Sequence, residues 1–317
     1  MTQETLDRLL ADGLLRTDQH AHLRRVYGRE IFSLFYELRT LLYLGVLLFT
    51  TGIGILVYKN IDTIGHQVLI AALALLDGWC FWFVGRRRRP FSRAMVPSPG
   101  VLHDYMLLLA SLLFATLVAY LQVEYAVFGD HLALSALLPA LLYLSLAYAF
   151  DHRGVLGLGL TAVASWLGLT VSPIDVMRDG FHSGDALIVT GILYGAVVDG
   201  IALALDRAGI KKHFTFTALN IGSHVLCISL IAAAAALEPS VVYSLLLLGV
   251  CVLGVLYARR EQSFLFLLFS CIYGYIGFTW MISDVFESAG MGFLYIVVSC
   301  GAIIYVVFNY RKFLARP

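Results

Sequence analysis

The chain has 317 residues, 60% of them hydrophobic and 14% charged, with a formal net charge of +1 and a mean hydropathy of +0.84. A water-soluble domain carries roughly 45–50% apolar and about 25% charged residues, so this surplus exceeds what one aqueous core can hide. The balanced charge, with no long basic or acidic tail, argues against a nucleic-acid partner.

Lipid must cover the remaining apolar surface. It offers backbone groups no hydrogen-bond partner, which leaves helices or a closed barrel. The apolar stretches are long and lack two-residue alternation, so the expected class is all-α. The reading is a polytopic integral membrane protein with about ten transmembrane helices and both termini in the cytoplasm.

Residues 1–39 form the first predicted element, a cytoplasmic amphipathic helical hairpin; 40–317 form the transmembrane domain. The segment is rich in charge and has no apolar run of the signal-peptide kind before the first span. Leu6, Leu9 and Leu10 recur at helical spacing, and Asp12-Gly13 ends that helix. Thr17-Asp18 caps a second helix carrying Leu23, Val26, Tyr27 and Phe32. Such a hairpin packs on itself or lies on the membrane surface. A DNA-reading helix-turn-helix built on Arg24-Arg25 is disfavoured, because the piece is too short for its own core.

Ten segments then approach the roughly 20 residues needed to cross about 30 Å of hydrocarbon. They are 40–57, 66–85, 102–123, 131–150, 154–171, 186–206, 214–237, 239–257, 263–283 and 289–309. Between the second and third, the loop opens on Arg86, Arg87, Arg88 and Arg89 and carries Pro90, Pro97 and Pro99, which keep it irregular. Its arginines are expected to contact anionic lipid head groups; an acidic ligand or partner is the sharper alternative. In the fifth segment, Gly157, Thr161, Ser165 and Gly168 read as a packing face. The five cysteines, Cys80, Cys227, Cys251, Cys271 and Cys300, all fall inside spans without metal-ligand spacing, so no disulfide, zinc site or other metal is expected.

Two stretches carry a resemblance. Leu-x-x-Leu-x-x-x-Gly-Leu-Leu-x-x-x-Gln from Leu6 to Gln19 is followed by a charged helix. Then comes Leu44-Gly45-x-Leu-Leu-x-x-x-Gly-Ile-Gly-Ile-Leu, ending at Leu56. Together they resemble the bacterial predicted membrane proteins of domain-of-unknown-function family 2157, over the N-terminal third. The resemblance implies a bacterial inner-membrane protein and brings no catalytic or cofactor-binding residues with it.

Orientation follows from charge. With the N-terminus inside, 20 of the 22 Lys and Arg residues fall in inner segments, and the outer loops hold Lys59 and Arg178. Cytoplasmic loops retain Lys and Arg, and the bias persists to the last loop, so it supports both the direction and the count of ten spans.

The informative residues are polar ones inside spans. A charge at mid-bilayer costs at least about 2.5–3.5 kcal/mol, so such groups turn inward and often serve function. Asp77, Asp199 and His224 each fall within about 5 Å of their span's midpoint, at about 1.5 Å per residue. They meet if the second, sixth and seventh spans are neighbours. Gly191, Gly195 and Asp199 share a face that admits another helix closely. Thr217, Asn220, Ser223, His224 and Cys227 make one polar stripe on the seventh span. Asp77, Asp199, Asn220, Ser223 and His224 therefore form the candidate intramembrane site, suited to a proton, an ion or a small polar solute. The bland reading is interhelical hydrogen bonding, with Asp199 and His224 paired. Asp104, beside His103, reads as a helix-start residue.

Enzyme motifs are not found: no His-Glu-x-x-His, no phosphate-binding loop, no dinucleotide glycine fingerprint. The aspartates lack the Tyr-Asp and Gly-x-Gly-Asp settings of aspartyl intramembrane proteases. Gly222-Ser223-His224 lacks the rhomboid Gly-x-Ser-Gly context. The leading expectation is a proton- or ion-linked transporter of a small solute. Its rival is a scaffold, sensor or assembly partner acting through the N-terminal hairpin.

Overall fold

The computed structural model describes residues 35–129, 131–171 and 184–282, together with His20, Tyr295, 297–299 and Gly301. Most of the predicted N-terminal hairpin, the outer loop 172–185 and the tenth segment 289–309 lies outside the described residues. Among those described, the regular structure is entirely helical. The helices are α1 (Phe35–Ile64), α2 (His66–Gly85), α3 (Val101–Tyr125), α4 (Leu134–Phe150), α5 (Arg153–Val171), α6 (Asp185–Arg207), α7 (Lys212–Ala236), α8 (Ser240–Glu261) and α9 (Phe264–Ile282).

Seven of them, α2, α3 and α5 to α9, are long and apolar enough to cross a membrane. The shorter apolar helices are α4 and the stretch Thr40–Leu56 within α1. At 17 residues, α4 reaches about 25 Å, short of a full hydrocarbon layer. Apolar side chains also point outward: Leu75 is 76% exposed and Val123 85%. An aqueous protein would bury them; a bilayer solvates them.

The chain falls into two compact units, Met1–His66 and Gln67–Pro317. In the first, α1 satisfies its own hydroxyls: Thr50 Oγ1 donates to the Val46 carbonyl at 2.6 Å and Thr51 Oγ1 to Leu47 at 2.8 Å.

In the second unit, short turns make hairpins of α4–α5, α6–α7 and α8–α9. Left-handed residues close them: Asp151 (φ +59°), Gly209 (φ +72°), Lys211 (φ +47°) and Gln262 (φ +54°). Aspartate tolerates this conformation better than most side chains, which suits it to the tight turn after α4. The α7 helix is the hub and touches α5, α6, α8 and α9. One core, Val84, Leu107, Tyr143, Val155 and Phe214, joins α2, α3, α4, α5 and α7. A second, Leu226, Cys227, Leu230, Leu247 and Cys251, joins α7 to α8.

The tightest contact is between α6 and α7. A Cβ on Gly195 would lie 2.7 Å from the Gly222 carbonyl oxygen and from the Leu226 backbone nitrogen. A Cβ on Gly191 would lie 2.2 Å from Ser229 Oγ. The glycines expected to admit another helix do so, and the helix is α7.

The packing face expected on α5 holds at its glycines, with Gly157 against Ile221 and Thr217 of α7 and Gly168 buried, and fails at its hydroxyls. Thr161 and Ser165 are exposed and donate to the carbonyls of Gly157 and Thr161 on their own helix, both at 3.0 Å. A hydroxyl satisfied four residues back needs no neighbouring helix. The buried face is Val155, Leu156, Gly159 and Gly168, and a Cβ on Gly159 would lie 3.1 Å from the Leu144 backbone nitrogen of α4.

Candidate functional site

A cavity of about 520 Å³ lies among α6, α7, α8 and α9. Asp199, Asn220, Ser223 and His224 all line it. Four of the five side chains expected to form an intramembrane site thus share one space. Asn220, Ser223, His224 and Cys227 present their stripe to it. Thr217 turns its methyl toward Gly157 of α5 instead.

Asp199 and His224 do not pair; each has its own partner. Ser223 Oγ donates to Asp199 Oδ2 at 2.8 Å. The other carboxyl oxygen, Oδ1, is buried against Gly222, where a Cβ would lie 2.2 Å away, and has no hydrogen-bond partner among the described residues. His224 Nδ1 lies 2.8 Å from the Tyr273 hydroxyl of α9, and its ring packs edge-on against Phe269 at 4.3 Å between centroids. The two bonds thus tie α7 to α6 on one side and to α9 on the other.

Asp77 is elsewhere. It turns inward as expected, on the buried face Leu73, Asp77, Cys80 and Val84 of α2. That face packs toward α3 and α4, where Val84 joins Leu107 and Tyr143. Among the described residues α2 contributes nothing to the cavity that Asp199 and His224 line. The condition on which the three would meet, spans two, six and seven around one space, is not fulfilled among the described residues, because compatible depth along a helix says nothing about lateral position.

Arg86, Arg87, Arg88 and Arg89 are all exposed at the end of α2. The Arg86 guanidinium lies over the Trp82 ring at 4.4 Å and that of Arg87 over Phe83 at 4.8 Å. His103 is buried, with Nε2 3.2 Å from the Val84 carbonyl, and Asp104 accepts from Ser98 Oγ at 2.5 Å in the first turn of α3.

One ionic cluster was not anticipated. Asp151, in the α4–α5 turn, accepts from Lys211 Nζ at 2.9 Å and contacts His213 Nε2. It also accepts the Val96 backbone N–H. The Lys211 and Asp151 side chains are 1% and 2% exposed. Lys211 further donates to the Ala94 carbonyl at 3.3 Å, and its backbone N–H to Arg93 at 2.8 Å. Burial pushes the Asp151 carboxyl upward, but the bonds from Val96, Lys211 and His213 outweigh it and hold the group below the ordinary carboxylate value. The sequence does hold a signal for this cluster: a lone carboxylate, Asp151, set among the strongly basic loops 86–101 and 207–213.

The free cysteines among the described residues are Cys80, Cys227, Cys251 and Cys271. Cys227 and Cys251 both line the cavity and pack in one core.

Comparison with curated proteins and with solved structures gives no match. A family model described as predicted membrane protein (DUF2157) matches residues 7–156. That stretch includes Asp77 and the arginine loop and ends at the start of α5; the cavity lies beyond it. The resemblance carried by the stretches between Leu6 and Leu56 therefore holds over a longer part of the chain. With several helices of membrane length, this is a multi-pass membrane protein whose N-terminal part is similar to the predicted membrane proteins of DUF2157.

Proposed function

We propose that the chain is a proton- or ion-linked transporter of a small solute, acting through the cavity lined by Asp199, Asn220, Ser223 and His224. The observation that carries this reading is that an acid and a histidine from apolar helices line one space of about 520 Å³ without bonding to each other. Ligand cavities commonly measure about 300–1,000 Å³. A purely structural role predicts that buried polar groups satisfy one another; here they have separate partners and border a shared void. A carboxyl and an imidazole are both able to exchange protons. Asp77 has no part in this site.

The proposal includes ten spans, both termini inside, in the bacterial inner membrane. Contacts at the helix ends support the alternation. Asp151 links the 86–100 loop, the α4–α5 turn and the α6–α7 turn. Arg260 at the end of α8 lies 3.8 Å from Asp206 at the end of α6. All four connections are those that the charge bias assigns to the cytoplasm. There Arg86 to Arg89, exposed beside Trp82 and Phe83, suit contact with anionic head groups.

The test is reconstitution in liposomes with an imposed pH gradient and a solute screen, comparing the full chain with Asp199→Asn. Gradient-driven uptake that Asp199→Asn abolishes is expected. Equal flux in both proteins and in empty vesicles removes the transport reading and favours a scaffold.

A further inference from the structure

We infer that the occupant of this cavity is a lipophilic monovalent organic cation that enters sideways from the bilayer between α6 and α8. The inference rests on the reading of the cavity as a solute site and names the solute's class.

Three observations carry it. First, the wall surface is mostly apolar: Leu203, Leu219, Val250, Leu253, Phe266 and Phe269 line it beside a polar strip on α6 and α7 and the hydroxyls of Tyr257, Ser270 and Tyr273. A sugar or a hydrated ion would leave many of its polar groups facing hydrocarbon, at a cost of kilocalories per group; an apolar body with one charged centre would not. Second, the strip holds an acid that has no basic partner among the described residues. Asp199 is bonded to Ser223, and His224 turns to Tyr273. Among the described residues the one Lys or Arg lining the cavity is Arg260, at the helix end, already within 3.8 Å of Asp206 and 3.4 Å of Glu261. A carboxylate in a weakly polarisable space attracts a cation strongly, because the interaction is not screened by water. Third, part of the rim is exposed. Ala196 and Gly200 of α6 and Leu253 and Leu256 of α8 both line the cavity and are exposed on the outer surface. A Cβ on Gly200 would meet nothing within 4 Å. Among the described residues α6 and α8 meet at Asp206 and Arg260 and in the core that holds Ala202 and Ala258; the stretch between Ala196 and Leu253 is the doorway.

The test uses the full chain in lipid nanodiscs and radiolabelled tetraphenylphosphonium, with tetraphenylborate as the anion of matching shape. Saturable binding of the cation at one site per chain is expected, at least tenfold tighter than the borate. Asp199→Asn should weaken it at least tenfold, and Asp77→Asn should leave it unchanged. Gly200→Trp, placed at the exposed rim where the fold has room, should slow association at least tenfold without altering the helical content. Equal affinity for cation and anion, or no saturable binding by a folded chain, overturns the inference. The transport reading fails separately: a chain that binds tetraphenylphosphonium yet drives no flux in proteoliposomes retains this occupant and loses the carrier role. Gradient-driven uptake of a hydrophilic solute by a chain that does not bind the cation does the reverse.

Discussion

Replacing Asp151 with asparagine tests the ionic cluster that ties the loops together. The substitution keeps the shape and removes the charge. Lys211 is 1% exposed and has two oxygen partners, Asp151 at 2.9 Å and the Ala94 carbonyl at 3.3 Å. After the change its ammonium stays buried with a carbonyl and a neutral amide. Breaking a buried pair from one side costs about 3–5 kcal/mol, most of it the penalty of the stranded charge. The contacts to Val96 and His213 also weaken, so the expected loss lies in the upper half of that range. Equilibrium unfolding in mixed micelles by a denaturing detergent reads it. Lys211→Met in the same chain removes the stranded charge, and the double variant should recover at least about half of the loss, because an apolar replacement of a buried pair is often near neutral. Proton linkage gives an independent check. The folded Asp151 carboxyl lies below its ordinary value, so its contribution is complete above about pH 4, the unfolded group's range, and fades as pH falls below that toward the folded pKa. A loss under about 1 kcal/mol for Asp151→Asn, with no recovery in the double variant, would refute the reasoning.

Gly195→Ala should push α6 and α7 apart, since its Cβ would lie 2.7 Å from Gly222 and Leu226 atoms. A cost of about 1–3 kcal/mol is expected in the same unfolding assay, whereas Gly249→Ala, with nothing within 4 Å, should be neutral or mildly stabilising. In a chain whose other cysteines are replaced, copper phenanthroline should oxidise Cys227 and Cys251 to an intramolecular disulfide, seen as a two-hydrogen mass loss; a persistent dithiol would contradict their contact. For orientation, a cysteine at Ser92 or Gln262 in a cysteine-free chain should resist a membrane-impermeant maleimide in intact cells, and one at His131 should react. The reverse pattern inverts the topology.

Much of the fold is legible because its cause is one-dimensional. Long apolar runs predict helices, and α2 occupies the same 66–85 as its predicted segment. Small residues every four positions predict a close face, as Gly191 and Gly195 illustrate. The polar stripe on α7 is also a property of one helix, so its convergence with Asp199, one short loop away, could be read from residue spacing. What spacing does not carry is which distant helices become neighbours. Asp77 shares depth with Asp199 but belongs to a different part of the bundle. The same gap hid Asp151, Lys211 and His213, which are ordinary turn and helix-start residues until three connections fold over one another. Thr161 and Ser165 misled for a further reason: a helix can quench its own hydroxyls, so a polar face need not be a contact face.

The glycine contact between α6 and α7 constrains how the molecule can change shape. Where two backbones touch, neither helix can roll or slide without colliding with the other's main chain, so the pair behaves as one rigid plank. The α8–α9 hairpin meets that plank through pliable side chains such as Leu226, Leu247 and Cys251. Any swelling or emptying of the space between them is therefore borne by the α8–α9 side swinging as a jaw, while Asp199 and Ser223 stay fixed and Tyr273 travels away from His224.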